Sequence, residues 1–100
     1  MPAASRYGDL STGHGCFPPT TIFNTSTSRT YINGKLAAAR TAKLKRHCCG
    51  LVCHVPTGTR FVSGGSSNVF IEGKKAVRIS DAIACGDRMG QGSKNVFIGG

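Results

Sequence analysis

The sequence predicts a single small all-β domain, residues 1–100, made of three related hairpins, and three observations lead there. Ser66-Ser67-Asn68-Val69-Phe70-Ile71-Glu72-Gly73-Lys74 returns as Ser93-Lys94-Asn95-Val96-Phe97-Ile98-Gly99, and in outline as Ser28-Arg29-Thr30-Tyr31-Ile32-Asn33-Gly34-Lys35. The segments after each glycine also correspond, with Lys75-Ala76-Val77-Arg78-Ile79-Ser80-Asp81 answering Leu36-Ala37-Ala38-Ala39-Arg40-Thr41-Ala42-Lys43. The last copy stops at Gly99-Gly100, yet a matching second half, Pro2-Ala3-Ala4-Ser5-Arg6-Tyr7-Gly8-Asp9, stands at the other end. The repeats therefore form a permuted ring of pseudo-threefold symmetry, its third hairpin completed by the N- and C-terminal strands.

Each unit has a short β-branched and aromatic run, a glycine turn, and a second short run ending in arginine. Asn33-Gly34 is the strongest turn, because a type I′ turn needs positive φ at both central positions and Asn and Gly tolerate it best. Val96 to Ile98 is expected to pair with the strand near Ala3 to Arg6, leaving no long unpaired edge there. Ser11 to Pro19 is a loop by its glycine and proline content. Thr20 to Thr27, with Ile22 and Phe23 inside it, is either a short strand or an irregular lead-in. Lys35 to Arg46 has helix propensity, but its first part aligns with strand segments of the other units. The expectation there is strand through Ala39, then a loop or a single turn from Arg40 to Arg46. Met89 is expected to fill a gap in packing.

One hundred residues suit one domain but bury a modest fraction of their surface. Fourteen glycines and no tryptophan thin the core further, so a disulfide or metal staple is expected. No apolar stretch is long enough to span a bilayer, and the N-terminus lacks the pattern of a signal peptide. The expectation is a soluble chain made in the cytoplasm. Five cysteines, an odd number, sit poorly with a fully paired framework. In a reducing compartment they would be free thiols or metal ligands. A net charge of +9 raises nucleic acid or an anionic surface as partner, against a merely solvated basic face.

Two histidines and three cysteines crowd His47-Cys48-Cys49-Gly50-Leu51-Val52-Cys53-His54. The repeats supply a spacing test: His14 lies eight positions after Arg6, His47 seven after Arg40, and Cys85 seven after Arg78. A lone loop histidine is ordinarily solvent-exposed, so the recurrence carries the inference. Equivalent loops of a threefold arrangement converge, bringing three ligands together, and His54 can supply a fourth. Three imidazoles and one thiolate form a closed tetrahedral shell, which points to one structural zinc and not a catalytic one. Such a site supplies on the order of 10 kcal/mol to loops too glycine-rich to bury much apolar surface. Cys16, Cys48, Cys49 and Cys53 compete as ligands. Cys49 and Cys53 could form half a zinc knuckle, but no second pair follows at finger spacing. Otherwise these four are small buried residues or exposed thiols.

The hairpin with its alanine-rich second strand, together with Gly13-His14-Gly15-Cys16-Phe17-Pro18-Pro19, both Asn-Val-Phe-Ile copies and Ala84-Cys85-Gly86, resembles the PAAR-repeat proteins over nearly the whole chain. These are the conical tips of spikes in contractile injection machines, namely phage tails and type VI secretion systems. The resemblance implies a three-sided pyramid whose base caps a trimeric β-helical spike, VgrG-like or a phage central spike, one copy per trimer. It also implies a vertex zinc held by three histidines and one cysteine, which fall by position on His14, His47, His54 and Cys85. The middle repeat departs from the family, with Arg40-Thr41-Ala42-Lys43 where an acidic residue is usual, and Arg29 stands where Asn68 and Asn95 stand.

The reading is a non-enzymatic tip protein that punctures a target envelope. Four acidic residues offer little general acid or base, and no serine or cysteine has a nucleophile's context. No toxin extension is expected within the chain. It would be made without a signal peptide, assembled at the spike tip and delivered into the envelope. The main alternative is a basic, zinc-stabilised nucleic-acid-binding module around His47 to His54, disfavoured by scarce aromatics for base stacking and no recognition helix. A secreted disulfide scaffold would instead have oxidised cysteines and no metal.

Overall fold

A computed structural model of residues Met1–Gly100 is all-β, with eight short strands, extents of 37 × 24 × 22 Å, and no helix long and apolar enough to cross a membrane. The strands are β1 (Ile22–Asn24), β2 (Tyr31–Ile32), β3 (Lys35–Leu36), β4 (Lys43–Leu44), β5 (His47–Cys49), β6 (Val52–His54), β7 (Phe70–Ile71) and β8 (Lys74–Lys75). All pairings are antiparallel: β1 with β4, β2 with β3, β5 with β6, and β7 with β8.

The hairpins form where the repeats place them. β2 and β3 turn at Asn33-Gly34 with φ of 55° and 78°, and β7 and β8 turn at Glu72-Gly73 with φ of 51° and 82°. Both central residues are left-handed, as a type I′ turn demands. The third hairpin is assembled from the chain ends. Ala3 bridges Phe97, the Ala4 amide donates to the Val96 carbonyl (3.0 Å), and the Ile98 amide donates to the Pro2 carbonyl (2.9 Å). The same bond recurs in the other units, from Ala37 to Thr30 O (2.7 Å) and from Ala76 to Val69 O (2.9 Å).

Beyond the hairpins the second strands meet around a common axis. Ser5 N donates to Val77 O (3.0 Å), Val77 N to Ala38 O (3.1 Å) and Ala38 N to Ser5 O (3.0 Å), closing a ring of three bonds. Bridging pairs Arg6–Ala37, Ala39–Ala76 and Arg78–Ala4 repeat the cycle. Three backbones converge so closely that small side chains are required, which explains why Ala4, Ala37, Ala38, Ala39 and Ala76 are all fully buried.

The ring corrects the register of the middle unit. Arg6, Ala39 and Arg78 are equivalent, so Arg40 is not the partner of the other two repeat arginines. The following turns agree: Asp9 N bonds Arg6 O, Ala42 N bonds Ala39 O and Asp81 N bonds Arg78 O, with Gly8, Thr41 and Ser80 at φ of 84°, 76° and 76°. In units one and three this turn is closed by an ion pair, Arg6–Asp9 or Arg78–Asp81, both 3.0 Å. Ala39 and Ala42 replace that pair in the middle unit.

Two other expectations change. Residues 40–46 hold a strand: Leu44 pairs with Ile22 and Lys43 with Asn24, because Ile22 and Leu44 both bury in the core. Regular strand ends at Leu36, since Ala37 keeps one bond to its hairpin partner Thr30 while Ala38 and Ala39 turn away to pair with the other two units around the axis. The main core is Ile22, Ala38, Ala42, Leu44, Val62, Val77, Ile83 and Met89, with Met89 filling the interior as anticipated. A second cluster of Ala4, Ala76 and Ile98 takes in Ile32 and Ile71, the equivalents of Ile98 in the other hairpins. Strand alternation turns the preceding aromatics, Tyr31, Phe70 and Phe97, outward. They are 62%, 57% and 50% exposed.

Candidate metal centre

His14 is carried by a tight turn in which His14 N bonds Phe17 O (3.1 Å) and Phe17 N bonds His14 O (2.9 Å). Gly13 precedes it at φ 78°, where a Cβ would lie 2.8 Å from the Phe17 carbonyl oxygen, so only glycine admits the turn. His47 and His54 face one another across β5 and β6, which explains their seven-residue spacing. Cys85 lies in the turn closed by the Gly86 amide on Ile83 O (2.9 Å) and the Ile83 amide on Asp87 O (2.8 Å).

The structure brings all four residues singled out by spacing to one place. One donor atom from each of His14, His47, His54 and Cys85 lies within 4.8 Å of the others. His47 Nε2 is 2.9 Å from His54 Nδ1 and 3.7 Å from Cys85 Sγ. A tetrahedral shell with bonds of about 2.0–2.3 Å spaces its donors by roughly 3.3–3.8 Å, close to this arrangement. His14 Nε2 is buried with no hydrogen-bond partner. A buried ring nitrogen left without a partner is costly unless something else binds it, and a metal ion would satisfy it. The cluster could hold a metal.

Two features suit the histidines to that role. Pro18 O accepts from His47 Nδ1 (2.9 Å), which leaves the Nε2 lone pair facing the cluster. Burial pushes the His47 pKa down, opposed by the Pro18 hydrogen bond and assisted by the positive charge of Arg60, a shift that favours the neutral, metal-binding form of the ring. Phe17 lies against all three imidazoles, with ring centroids 4.8 Å from His14, 4.8 Å from His47 and 4.2 Å from His54. Its role beside the cluster was not apparent from the sequence, where it is one aromatic in a Gly/Pro loop.

The remaining cysteines correct the expectation of free thiols or metal ligands. Cys16 is bonded to Cys49 and Cys48 to Cys53, and Cys85 alone is free. Cys48 and Cys53 are directly opposed in the hairpin register, and neither Cys49 nor Cys53 contributes to a zinc knuckle. The odd cysteine count thus resolves into two pairs and one member of the cluster. One disulfide ties the loop of His14 to the hairpin of His47 and His54, and the other pins that hairpin's register.

An all-β chain that imitates a trimer and gathers one histidine or cysteine from each unit, plus His54, defines a class of pseudo-threefold domains with a cluster that could hold a metal. The PAAR motif matches residues 12–91, and the chain belongs to the PAAR-motif family. It is similar to an NAD(P)(+) glycohydrolase toxin of Pseudomonas aeruginosa, 31% identical over 85 residues that cover 83% of the chain and 20% of the toxin. It is equally similar to a (p)ppApp synthetase toxin of that species, 31% over 85 residues, 83% of the chain and 19% of the toxin. A double-stranded DNA deaminase toxin of Burkholderia cenocepacia is 36% identical over 70 residues, 70% of the chain and 4% of the toxin. The chain spans about a fifth of the length of the first two relatives.

Proposed function

We propose that the chain forms the non-enzymatic tip of a membrane-puncturing spike in a contractile injection machine, capping a trimeric β-helical spike with one copy per trimer. Family membership supports the class of role. The observation that carries the docking mode is the set of exposed aromatics Tyr31, Phe70 and Phe97, which occupy equivalent positions in the three hairpins. Three like anchors around a pseudo-threefold axis match a partner that offers three equivalent strand ends, with apolar contact and strand-edge hydrogen bonds holding the two together.

At the vertex, His14, His47, His54 and Cys85 would hold one zinc ion, which would supply a cross-link among loops and no open coordination position. The chain's own residues support a mechanical role. Asp9, Asp81 and Asp87 are all paired with arginines, and Glu72 is taken up by backbone amides, so none is free as a general base. Glu72 apart, the exposed charge is cationic, which suits brief contact with an anionic target envelope. Relatives that are toxins mostly outside the matched segment support delivery of cargo by this segment.

The test is native mass spectrometry of the chain mixed with its cognate spike trimer, with and without substitution of all three aromatics by serine. One chain per trimer, lost in the triple variant, is expected. Three chains per trimer, or binding unaffected by the triple variant, would refute the reading.

A further inference from the structure

The side chain of Arg60 is completely buried, although it belongs to neither a hairpin nor the ligand set. Its guanidinium touches each of the three segments that carry ligands. Nη2 donates to Ser11 Oγ (2.8 Å) and Thr20 Oγ1 (2.7 Å), the two residues that bracket the His14 loop. Nε donates to the Lys45 carbonyl (3.2 Å), two residues before His47. Nη1 donates to Asp87 Oδ2 (2.8 Å), two residues after Cys85, and faces Cys85 Sγ at 3.6 Å. Thr20 Oγ1 in turn donates to Lys45 O (2.6 Å) and Thr12 Oγ1 to Asp87 Oδ1 (2.9 Å), so the three segments also contact one another around the guanidinium.

We infer that Arg60, with Asp87 as its counter-ion, is the positioning residue of the vertex: it joins the three ligand-bearing segments and aims the Cys85 sulfur at the three imidazoles. The chemistry favours arginine. A planar fork reaches five acceptors at fixed angles, whereas a lysine presents a single point of charge and cannot span them. A cation directed at the sulfur also suits a thiolate ligand. Asp87 balances the buried positive charge, so the pair can lie at 0% side-chain exposure beneath the cluster. This inference rests on the reading of the vertex as a metal site.

Cobalt(II) titration of the full-length chain tests it, because a thiolate bound to cobalt gives a charge-transfer band that imidazoles do not. The unsubstituted chain is expected to show that band and Cys85→Ser to lack it. Arg60→Met is expected to bind cobalt about tenfold or more weakly, in the range of other outer-shell losses, with the thiolate band diminished relative to the imidazole-dependent visible bands. Arg60→Lys should recover only part of the band. If Arg60→Met does not fold by far-ultraviolet circular dichroism, the Ser11→Ala/Thr20→Val double variant carries the comparison, since it removes both Nη2 acceptors and leaves the ion pair. Wild-type affinity and an undiminished band in the folded variant would overturn the role of Arg60 and leave the metal site standing. An unsubstituted chain that binds no cobalt would overturn both.

Discussion

Ser5 and Val77 lie 72 residues apart in sequence (77 − 5), yet the amide of Ser5 donates to the carbonyl of Val77 at 3.0 Å as one side of the axial ring completed by Ala38. Ala38 is fully buried there and packs with Val77 in the main core. Ala38→Leu is expected to overpack the axis and cost about 1–3 kcal/mol. At this chain length that lowers the melting temperature by roughly 4–20 °C, measured by calorimetry. An unchanged melting temperature would mean the axis has room to spare.

The middle unit makes a complementary prediction. Arg6–Asp9 and Arg78–Asp81 close their turns through paired side-chain contacts, with the aspartate also accepting from the arginine amide at 2.8 and 2.7 Å. Ala39 and Ala42 make no such closure. Asp9→Ala and Asp81→Ala should each destabilise the fold by about 1–3 kcal/mol in denaturant titrations, by leaving a partly buried donor unpaired. Ala42→Asp should not stabilise it, because Ala42 is fully buried with no arginine at position 39.

Cys16–Cys49 joins segments 33 residues apart in sequence, and Cys48–Cys53 joins residues 5 apart. Chain-entropy reasoning gives roughly 3–4 kcal/mol for the longer closure and less for the shorter. Cys16→Ser/Cys49→Ser is therefore expected to melt well below Cys48→Ser/Cys53→Ser. Mass spectrometry after alkylation of the unfolded, chelated chain should find one modified thiol, Cys85. Five modified thiols would contradict the pairing.

Acid should weaken the fold through two carboxylates. Hydrogen bonds from the Arg29 amide, Thr30 and the Ser28 amide hold Glu72 at about 2, against an ordinary 4.5. Burial alone would raise Asp87, but hydrogen bonds from Ser11, Arg60, the Arg88 amide and Thr12 outweigh it and hold the carboxyl at about 2, against 3.8. Both folded values lie below the unfolded ones, so their stabilisation is complete above about pH 4.5 and is lost as pH falls towards 2. Glu72→Gln should flatten the acid limb of a stability–pH curve measured by urea unfolding between pH 5 and 2. An equally steep limb would show that Glu72 is uninvolved.

The hairpins and their closure by the chain ends were legible because repeats and turn chemistry are local signals. Tyr31, Phe70 and Phe97 could be aligned by eye, as could the two glycine turns. The middle register was not, because the run Ala37-Ala38-Ala39 permits a one-residue slip and Arg40 attracts the alignment to the wrong side. Three of the four clustered residues, His14, His47 and Cys85, were legible because one follows each unit's turn, and His54 because it lies seven residues beyond His47. Correcting the register places His14 and His47 both eight residues after Arg6 and Ala39, which tightens that spacing. Disulfide partners were not legible, since four cysteines allow three connectivities. Arg60 leaves no periodic trace. Its one available sign was charge counting: Arg6 and Arg78 satisfy Asp9 and Asp81, leaving Asp87 without a cation from the repeats.

X-ray absorption at the zinc edge of the purified, zinc-loaded chain tests the proposed zinc site most directly. The expected spectrum has one zinc per chain with three nitrogen neighbours at about 2.0–2.1 Å and one sulfur at about 2.3 Å, the sulfur lost in Cys85→Ser. No bound zinc, or a shell of several sulfurs drawn from Cys16, Cys48, Cys49 and Cys53, would contradict it.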